Sequence, residues 1–170
     1  MSKSHVIDMT DKIVLITGGS RGLGRAMALG FADAGADLVI ASRRLEACKE
    51  VCRAVEERGR RAMPYACHVG RWQECDALAD AAYARFGKVD VLINNAGKSP
   101  LYDRPVDISE ELYDTVLDLN LKGPFRFQHS VCGAFVVACL NHGQCAVETQ
   151  KPSDAELETH LDQHIMAHLI

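Results

Sequence analysis

The sequence predicts an α/β fold in which helices cover both faces of a parallel sheet. Three observations lead to this prediction. Short apolar runs alternate four times with segments of helical periodicity, which is typical of parallel strands joined by right-handed crossovers. The composition, 48% hydrophobic and 25% charged residues in a chain of 170, is that of one globular domain. No apolar run approaches the ~20 residues that span a membrane.

The first part of the chain predicts two strand–helix units. Residues 12–19 form an apolar run that ends in glycine, as expected for a strand buried on both faces. A helical pattern over 24–36 follows it. Residues 37–44 repeat the pattern of a buried strand, and 45–59 place their apolar side chains on one side of a helix.

Two further units follow. Residues 61–69 predict a third strand, and Pro64 favours an edge position because proline cannot donate to a neighbouring strand. A helix over 72–87, a buried strand over 89–97 and a helix over 109–123 complete the alternation.

The last quarter of the chain differs in character. Residues 1–128 carry equal numbers of basic and acidic groups, so the net charge of −4 lies entirely in residues 129–170, with five of the seven histidines. The apolar run over 131–140 predicts either a helix or a short strand, and we favour the helix. Residues 153–170 predict a final helix that begins with a capping box. The abrupt shift is consistent with a change of reading frame near residues 127–129.

Charge and cysteine usage limit the classes of function. A net charge of −4 gives no electrostatic case for binding nucleic acid or an anionic membrane. The opening MSKSHVIDMTDK lacks the apolar middle of a secretory signal. The seven cysteines are an odd number without framework spacing. We therefore expect a cytoplasmic protein.

A glycine-rich loop, TGGSRGLG at residues 17–24, lies between the first strand and the first helix. Glycine lets a ligand approach the main chain, and a helix start directs free N–H groups and a positive dipole end at that ligand. Such a loop can hold a pyrophosphate. The alternative is an ordinary glycine-rich turn.

The end of the second strand indicates which dinucleotide the loop would hold. A site for NAD usually presents an acidic residue there, which binds the ribose hydroxyls. This chain instead has Ser42, Arg43 and Arg44, and Arg21 lies in the glycine loop. Guanidinium groups bind a 2′-phosphate through parallel hydrogen bonds, so NADP(H) is favoured. The alternative is that Arg43 and Arg44 only form a solvated helix start.

Three motifs occur in order: T-G-x-x-x-G-x-G at 17–24, N-N-A-G at 94–97 and N-x-x-G at 120–123. With these motifs the sequence resembles the classical short-chain dehydrogenase/reductase family over about residues 8–128. The resemblance implies a Rossmann-type sheet, here limited to about four strands in the order 3-2-1-4 and followed by an irregular or helical tail. It implies hydride transfer between a nicotinamide cofactor and a small carbonyl or alcohol substrate.

The resemblance also assigns cofactor-binding residues. Those expected to hold the phosphates and ribose are Gly18, Gly19, Ser20, Arg21, Gly22, Leu23 and Gly24. Arg43 would meet the 2′-phosphate, with Ser42 and Arg44 beside it. The residues expected to flank the adenine are His68 and Val69, and those expected at the ribose on the nicotinamide side are Asn95, Ala96 and Gly97. His68 departs from the aspartate or asparagine that is usual at its position.

Most of the family's catalytic residues have no match. Asn120 matches the family's catalytic asparagine, but the serine and the Tyr-x-x-x-Lys pair are not found. The four tyrosines, at 65, 83, 102 and 113, all precede Asn120, and none has a lysine four positions later. We therefore expect residues 1–128 to form an NADP-binding Rossmann domain, residues 129–170 to be a divergent tail, and this truncated chain to be inactive.

Three alternatives stay open at this point. The chain could be a non-catalytic NADP-binding or partner-binding fragment that pairs through an exposed edge of its fourth strand. It could be an active enzyme, as a single chain or as a homo-oligomer, in which Ser130 or His142 rebuilds the site. The tail could bind zinc through Cys139, His142 and Cys145 with His160, His164 and His168, but this spacing fits no structural zinc pattern and we expect no metal.

Overall fold

The computed structural model describes residues 8–100, 104, 107–131, 135–139 and 145–148. The strands are β1 (Ile13–Thr17), β2 (Asp37–Ser42), β3 (Ala62–Ala66), β4 (Val91–Asn94), β5 (Phe135–Cys139) and β6 (Cys145–Glu148). The helices are α1 (Gly22–Asp33), α2 (Leu45–Glu56), α3 (Trp72–Phe86), α4 (Glu110–Leu117) and α5 (Gly123–Ser130), with a π-helical turn at Asp118–Lys122 between the last two.

The four predicted strands form a parallel sheet in the order β3-β2-β1-β4, which confirms the predicted topology. Among the described strands, β3, with Pro64, has a neighbour only in β2, as predicted from the missing N–H. The register brings Thr17 of β1 beside Ala41 of β2 and Asn94 of β4. The carboxyl ends of these strands therefore meet at one edge, where ligands bind in open α/β sheets.

Two apolar cores lie on the two faces of the sheet. Leu15, Val39 and Leu92 face one core, and Val14, Ile16 and Ile93 face the other. Successive side chains along a strand point to opposite faces. Because both faces are covered, the strands are continuous apolar runs rather than alternating ones.

The preference for a helix over residues 131–140 is wrong. Residues 135–139 form β5, which pairs in parallel with β4 from Val91↔Phe135 to Asn94↔Ala138, and β6 then pairs antiparallel with β5. An apolar run with adjacent valines suits a strand, and pairing removes the cost of leaving β4 as an open edge. The proposed pairing of a partner with an exposed β4 edge therefore loses its basis. The helix predicted over 153–170 lies outside the described residues.

The predicted helix over 109–123 is longer than expected and is interrupted. Ser109 caps α4, since its Oγ accepts a hydrogen bond from Leu112 N at 3.2 Å. At the π-helical turn, Gly123 N–H donates to the carbonyl of Asp118, five residues back. The helix then continues as α5 to Ser130, so the chain crosses the predicted boundary at residue 128 within a helix.

An ion pair fastens α5 to α3. Arg126 donates to both carboxylate oxygens of Asp76, at 2.7 and 2.6 Å, and its guanidinium lies 5.2 Å from the centre of the Trp72 ring. Ser130 Oγ donates to the same carboxylate at 2.8 Å. The bonds from Arg126 and Ser130 lower the pKa of Asp76. Ser130 is thus engaged at the α3–α5 contact, which gives no support to a catalytic role.

A buried carboxylate joins β2 to the chain that enters β3. Asp37 accepts from Arg61 N at 2.8 Å and from Arg61 Nε at 2.7 Å, and Arg60 lies 3.2 Å away. Burial by itself raises the pKa of Asp37, but the bonds from Arg61 and the charges of Arg60 and Arg61 outweigh it and hold the pKa below the usual value of an aspartate. Ionised Asp37 therefore stabilises the fold at neutral pH, and the contribution disappears as the pH falls through the lowered pKa.

We expect Asp37→Asn to lower the free energy of unfolding at pH 7 by about 2 kcal/mol, because hydrogen bonds to a charged acceptor are lost. At pH 3 the loss is expected to be smaller, because the contribution of ionised Asp37 disappears as the pH falls toward its lowered pKa. Urea denaturation at both pH values measures it. The control is Asp33→Asn, because the Asp33 side chain is 63% exposed in its pair with Arg58 and such pairs contribute little. Equal effects of the two substitutions would contradict the role of Asp37.

Candidate functional site

Gly18 and Gly22 of the glycine loop both have a positive φ, but their surroundings differ. Gly18 has a φ of 67°, and a Cβ there would lie 2.9 Å from both Ala96 Cα and Asn95 Nδ2. The loop therefore lies directly against the segment that follows β4. Gly22 also has a positive φ, of 54°, but a Cβ there would meet no atom of the described residues within 4 Å. Gly22 thus provides a backbone angle that other residues avoid and leaves open space beside the loop.

Gly24 packs helix α1 against the loop. A Cβ at Gly24 would overlap the carbonyl oxygen of Gly18 and lie 2.6 Å from Asn95 Nδ2. Only glycine lets the first turn of α1 approach the loop this closely. The conformation of the loop therefore depends on residues of β1, α1 and the end of β4 together.

The amino end of α1 is open to an anion. Arg21 occupies the N-cap position with an extended backbone and makes no capping bond through its side chain, and the first turn contains no acidic residue. The first N–H groups of a helix lack partners within it, and they carry the positive end of the helix dipole. This arrangement suits a phosphate group.

Thr17 and Asn95 tie the ends of β1 and β4 together. Thr17 Oγ1 accepts from the N–H groups of Asn95 and Ala96, both at 3.1 Å, and donates to Ile93 O at 3.3 Å. Asn95 Nδ2 donates to Thr17 O at 3.1 Å and to Gly18 O at 3.2 Å. The Asn95 amide nitrogen therefore positions the glycine loop. Ala96 and Gly97 come next in the chain after Asn95.

An open cleft of about 490 Å³ lies beside the loop, and its lining residues are Ser20, Arg21, Ser42, Arg43 and Arg44. The structure thus brings together residues that the sequence placed in two separate segments. The three arginines are exposed, and none of them has a carboxylate partner within the part of the chain that the structure describes. Their charges are available to an anionic ligand.

The two residues expected beside adenine are differently placed. His68 donates its backbone N–H to Glu74 Oε2 at 2.7 Å, and its Nδ1 is buried with no hydrogen-bond partner among the described residues. Val69 is 5% exposed and belongs to a core cluster. A buried nitrogen without a partner is one that a ligand or a water molecule can satisfy.

Asn120 connects the third motif to the second. Its Oδ1 accepts from Lys98 N and its Nδ2 donates to Lys98 O, both at 2.9 Å, so its side chain pairs with the backbone just after Gly97. A Cβ at Gly123 would overlap the carbonyl oxygen of Val69. Both polar ends of the Asn120 side chain are thus used in positioning the chain. The motif spacing identified Asn120, but it did not indicate this pairing.

Two findings concern membranes and metals. None of the helices that the structure describes is long and apolar enough to cross a bilayer. The described residues include no group of three or more histidine, cysteine or acidic residues that could hold a metal ion. The suggested zinc ligand His142 and the histidines of 160–168 lie outside those residues.

Comparison with known proteins agrees with the motifs. Residues 12–144 match the family model of the short chain dehydrogenases. The match extends past residue 128 and includes β5. The 2-dehydro-3-deoxy-D-gluconate 5-dehydrogenase of Dickeya dadantii (strain 3937) is 36% identical over 132 residues, which are 78% of this chain and 51% of that protein. The chain spans about half the length of the curated relatives it matches, from 44% to 51% for the first two.

Solved structures show the same fold. A metagenomic short-chain oxidoreductase in complex with NADP is 26% identical with a TM-score of 0.73, over 76% of this chain and 62% of that one. An NAD⁺-bound xylitol dehydrogenase is 27% identical with a TM-score of 0.73, over 76% of this chain and 53% of that one. Because the family model matches residues 12–144, most of the length of the chain, the chain belongs to the short-chain dehydrogenase family of oxidoreductases.

Proposed function

We propose that this chain is the cofactor-binding part of an NADP(H)-dependent oxidoreductase. We assign residues 1–128 to the NADP-binding domain, and β5 and β6, which lie within residues 129–170, extend its sheet. The observation that carries the proposal is the cleft beside the glycine loop, where Arg21, Arg43 and Arg44 have no carboxylate partner among the described residues.

The arginines support NADP(H) over NAD(H). The fold alone does not discriminate, because the NADP-bound and NAD⁺-bound relatives are equally similar to this chain. An adenosine ribose with free hydroxyls is usually held by a carboxylate at the end of the second strand, whereas this chain has Ser42 there. A 2′-phosphate in the cleft would gain charge-assisted hydrogen bonds from Arg43, Arg44 and Arg21.

The position of the glycine loop also indicates where the other parts of the dinucleotide would lie. The pyrophosphate would lie on the amino end of α1 and on the loop residues, which are Gly18, Gly19, Ser20, Arg21, Gly22, Leu23 and Gly24. The adenine would lie near His68 and Val69, and the ribose on the nicotinamide side near Asn95, Ala96 and Gly97. The open space beside Gly22 and the buried His68 Nδ1, which has no hydrogen-bond partner in the described part of the chain, support this placement.

We also propose that this chain alone does not catalyse turnover. A bound nicotinamide cofactor supplies or accepts the hydride, but a carbonyl substrate also needs a general acid. Tyr65 lies on β3, Tyr83 on α3 and Tyr113 on α4, and no tyrosine of the 170 residues has a lysine four positions later. Asn120 is the one family catalytic position that this sequence matches, and its side chain is engaged with Lys98.

The test is a titration followed by an assay. Calorimetric titration of the full chain with NADPH is expected to show saturable binding, and NADPH absorbance is expected to stay constant when a panel of small ketones and aldehydes is added. No binding of NADPH would contradict the assignment of the cofactor site. If the unaltered chain oxidises NADPH and the Arg43→Glu variant does not, the proposed absence of turnover is contradicted. That result would favour the alternative of a rebuilt active site.

Two broader proposals rest on separate observations. Four cysteines, Cys48, Cys52, Cys67 and Cys75, are buried free thiols, which supports a reducing cytoplasmic location. The exposed apolar side chains of Tyr113, Leu121 and Phe125 along α4 to α5 support a homo-oligomer. Sedimentation as a monomer at high concentration would contradict the second proposal, and secretion in an oxidised form would contradict the first.

A further inference from the structure

The turn that carries Arg43 and Arg44 is held through the side chain of Ser42. Ser42 ends β2, and its carbonyl accepts from Cys67 N at 3.0 Å. Within the turn its hydroxyl makes two long contacts, accepting from Arg44 N at 3.4 Å and donating to Arg44 O at 3.3 Å. Both lie beyond the usual range for strong hydrogen bonds, so the turn by itself holds the hydroxyl weakly.

Cys48 provides a contact from outside the turn. Its side chain lies in the first turns of α2 and is fully buried. Cys48 Sγ is 3.1 Å from Ser42 Oγ and 3.7 Å from the carbonyl oxygen of Tyr65 on β3. The thiol therefore links the Ser42 hydroxyl to β3. It lies in the core, beneath the residues that line the cleft.

We propose that Cys48 is a positioning residue for cofactor selectivity that acts through the hydroxyl of Ser42. This inference rests on the proposed function, in which Arg43 and Arg44 bind the 2′-phosphate. Because the thiol holds Ser42 inward, the turn presents both arginines to the cleft. Without the thiol, the turn and the Arg43 and Arg44 side chains would be less ordered before the phosphate binds. Ordering them on binding costs conformational entropy, which lowers the affinity. NADH has no 2′-phosphate, so its affinity does not depend on this order.

The chain contains a matched control one helical turn away. Cys52 lies on the same buried side of α2 and is 3% exposed. Burial, together with Cys48 and Glu56 nearby, raises the pKa of the Cys52 thiol to about 12. No hydrogen bond joins Cys52 to Ser42, whereas Cys48 Sγ lies within hydrogen-bond distance of its hydroxyl. Truncating either cysteine removes one sulfur from the same core, but only truncation of Cys48 removes the link to the turn.

The experiment measures the dissociation constants of NADPH and NADH by calorimetry for the full chain and its variants. Cys48→Ala is expected to lower the preference for NADPH about three- to tenfold, the range for one lost hydrogen bond, while Cys52→Ala leaves the preference unchanged. Cys48→Ser, which keeps a hydrogen-bonding group, is expected to restore most of the preference. The double variant Cys48→Ala/Ser42→Ala is expected to match Ser42→Ala alone, because both substitutions break one link.

Several results would overturn the inference. Retained preference in Cys48→Ala, an equal loss in Cys52→Ala, or additive losses in the double variant would each remove the role of Cys48. If Cys48→Ala does not fold, Cys48→Val fills the space without a hydrogen-bonding group, and the same criteria apply. An unaltered chain that binds NADPH and NADH equally would overturn both the proposed function and this role. An unaltered chain that discriminates, with a Cys48→Ala variant that discriminates equally, would overturn this role alone.

Discussion

Gly24→Ala is expected to weaken the binding of NADPH by about 100-fold. The added Cβ would overlap the carbonyl oxygen of Gly18 and crowd Asn95 Nδ2. To remove this overlap, either α1 or the glycine loop must move, and the N–H groups that would face the pyrophosphate move with them. Overpacking of this kind costs about 1–3 kcal/mol, and 3 kcal/mol corresponds to about 100-fold in affinity. Calorimetric titration with NADPH measures the loss.

Gly30→Ala is the control in the same helix. In the part of the chain that the structure describes, a Cβ at Gly30 would meet no atom within 4 Å, so the alanine fits. Because alanine favours a helix interior more than glycine does, this variant is expected to unfold at higher temperature, with a gain of about 0.5–1 kcal/mol. Its affinity for NADPH is expected to equal that of the unaltered chain. A Gly24→Ala variant that binds NADPH as tightly as Gly30→Ala would show that the loop does not hold the dinucleotide.

Charge reversal in the cleft is expected to invert the cofactor preference. In the double variant Arg43→Glu/Arg44→Glu, carboxylates replace the guanidinium groups beside the proposed 2′-phosphate. NADPH is expected to lose about 100-fold in affinity, since one hydrogen bond to a charged group contributes about 1.5–3 kcal/mol and like charges then repel. NADH is expected to bind as well as before or better, because a carboxylate can accept from the ribose hydroxyls.

The matched control reverses two charges on the same helix away from the cleft. Lys49 and Arg53 are exposed on α2, and neither lines the cleft. Lys49→Glu/Arg53→Glu changes the net charge equally, so it reports the effect of the general field alone. A similar loss of NADPH affinity in both double variants would argue against a direct contact with Arg43 and Arg44. High salt is expected to weaken NADPH binding to the unaltered chain, since exposed charges are screened.

The part of the site that could be predicted from the sequence is the part that local backbone geometry controls. The glycines of residues 17–24 are needed for a positive φ at Gly18 and Gly22 and for close packing at Gly24. These requirements concern residues that are close together in the sequence, so the glycines occur at a fixed spacing that can be recognised. The four parallel strands were likewise predictable, because strands covered on both faces must be apolar throughout.

The features that could not be predicted depend on partners distant in the sequence. The run that contains β5 is short and apolar, and such a run suits either a helix or a strand. The open edge of β4 decides between them. Cys48 and Cys52 both lie on the buried side of α2, so the sequence pattern does not distinguish them. The position of Ser42 in the structure does, because Ser42 Oγ lies beside Cys48 Sγ. The pairing of Asn120 with Lys98 spans 22 residues and leaves no local pattern.

The central claim is that the cleft at the end of β2 selects a 2′-phosphate. The most direct test is the ratio of the dissociation constants of NADH and NADPH for the unaltered chain, measured by calorimetry in one buffer. Charge-assisted hydrogen bonds from the exposed arginines predict that NADPH binds at least about tenfold more tightly than NADH. Equal affinities, or tighter binding of NADH, would contradict the claim.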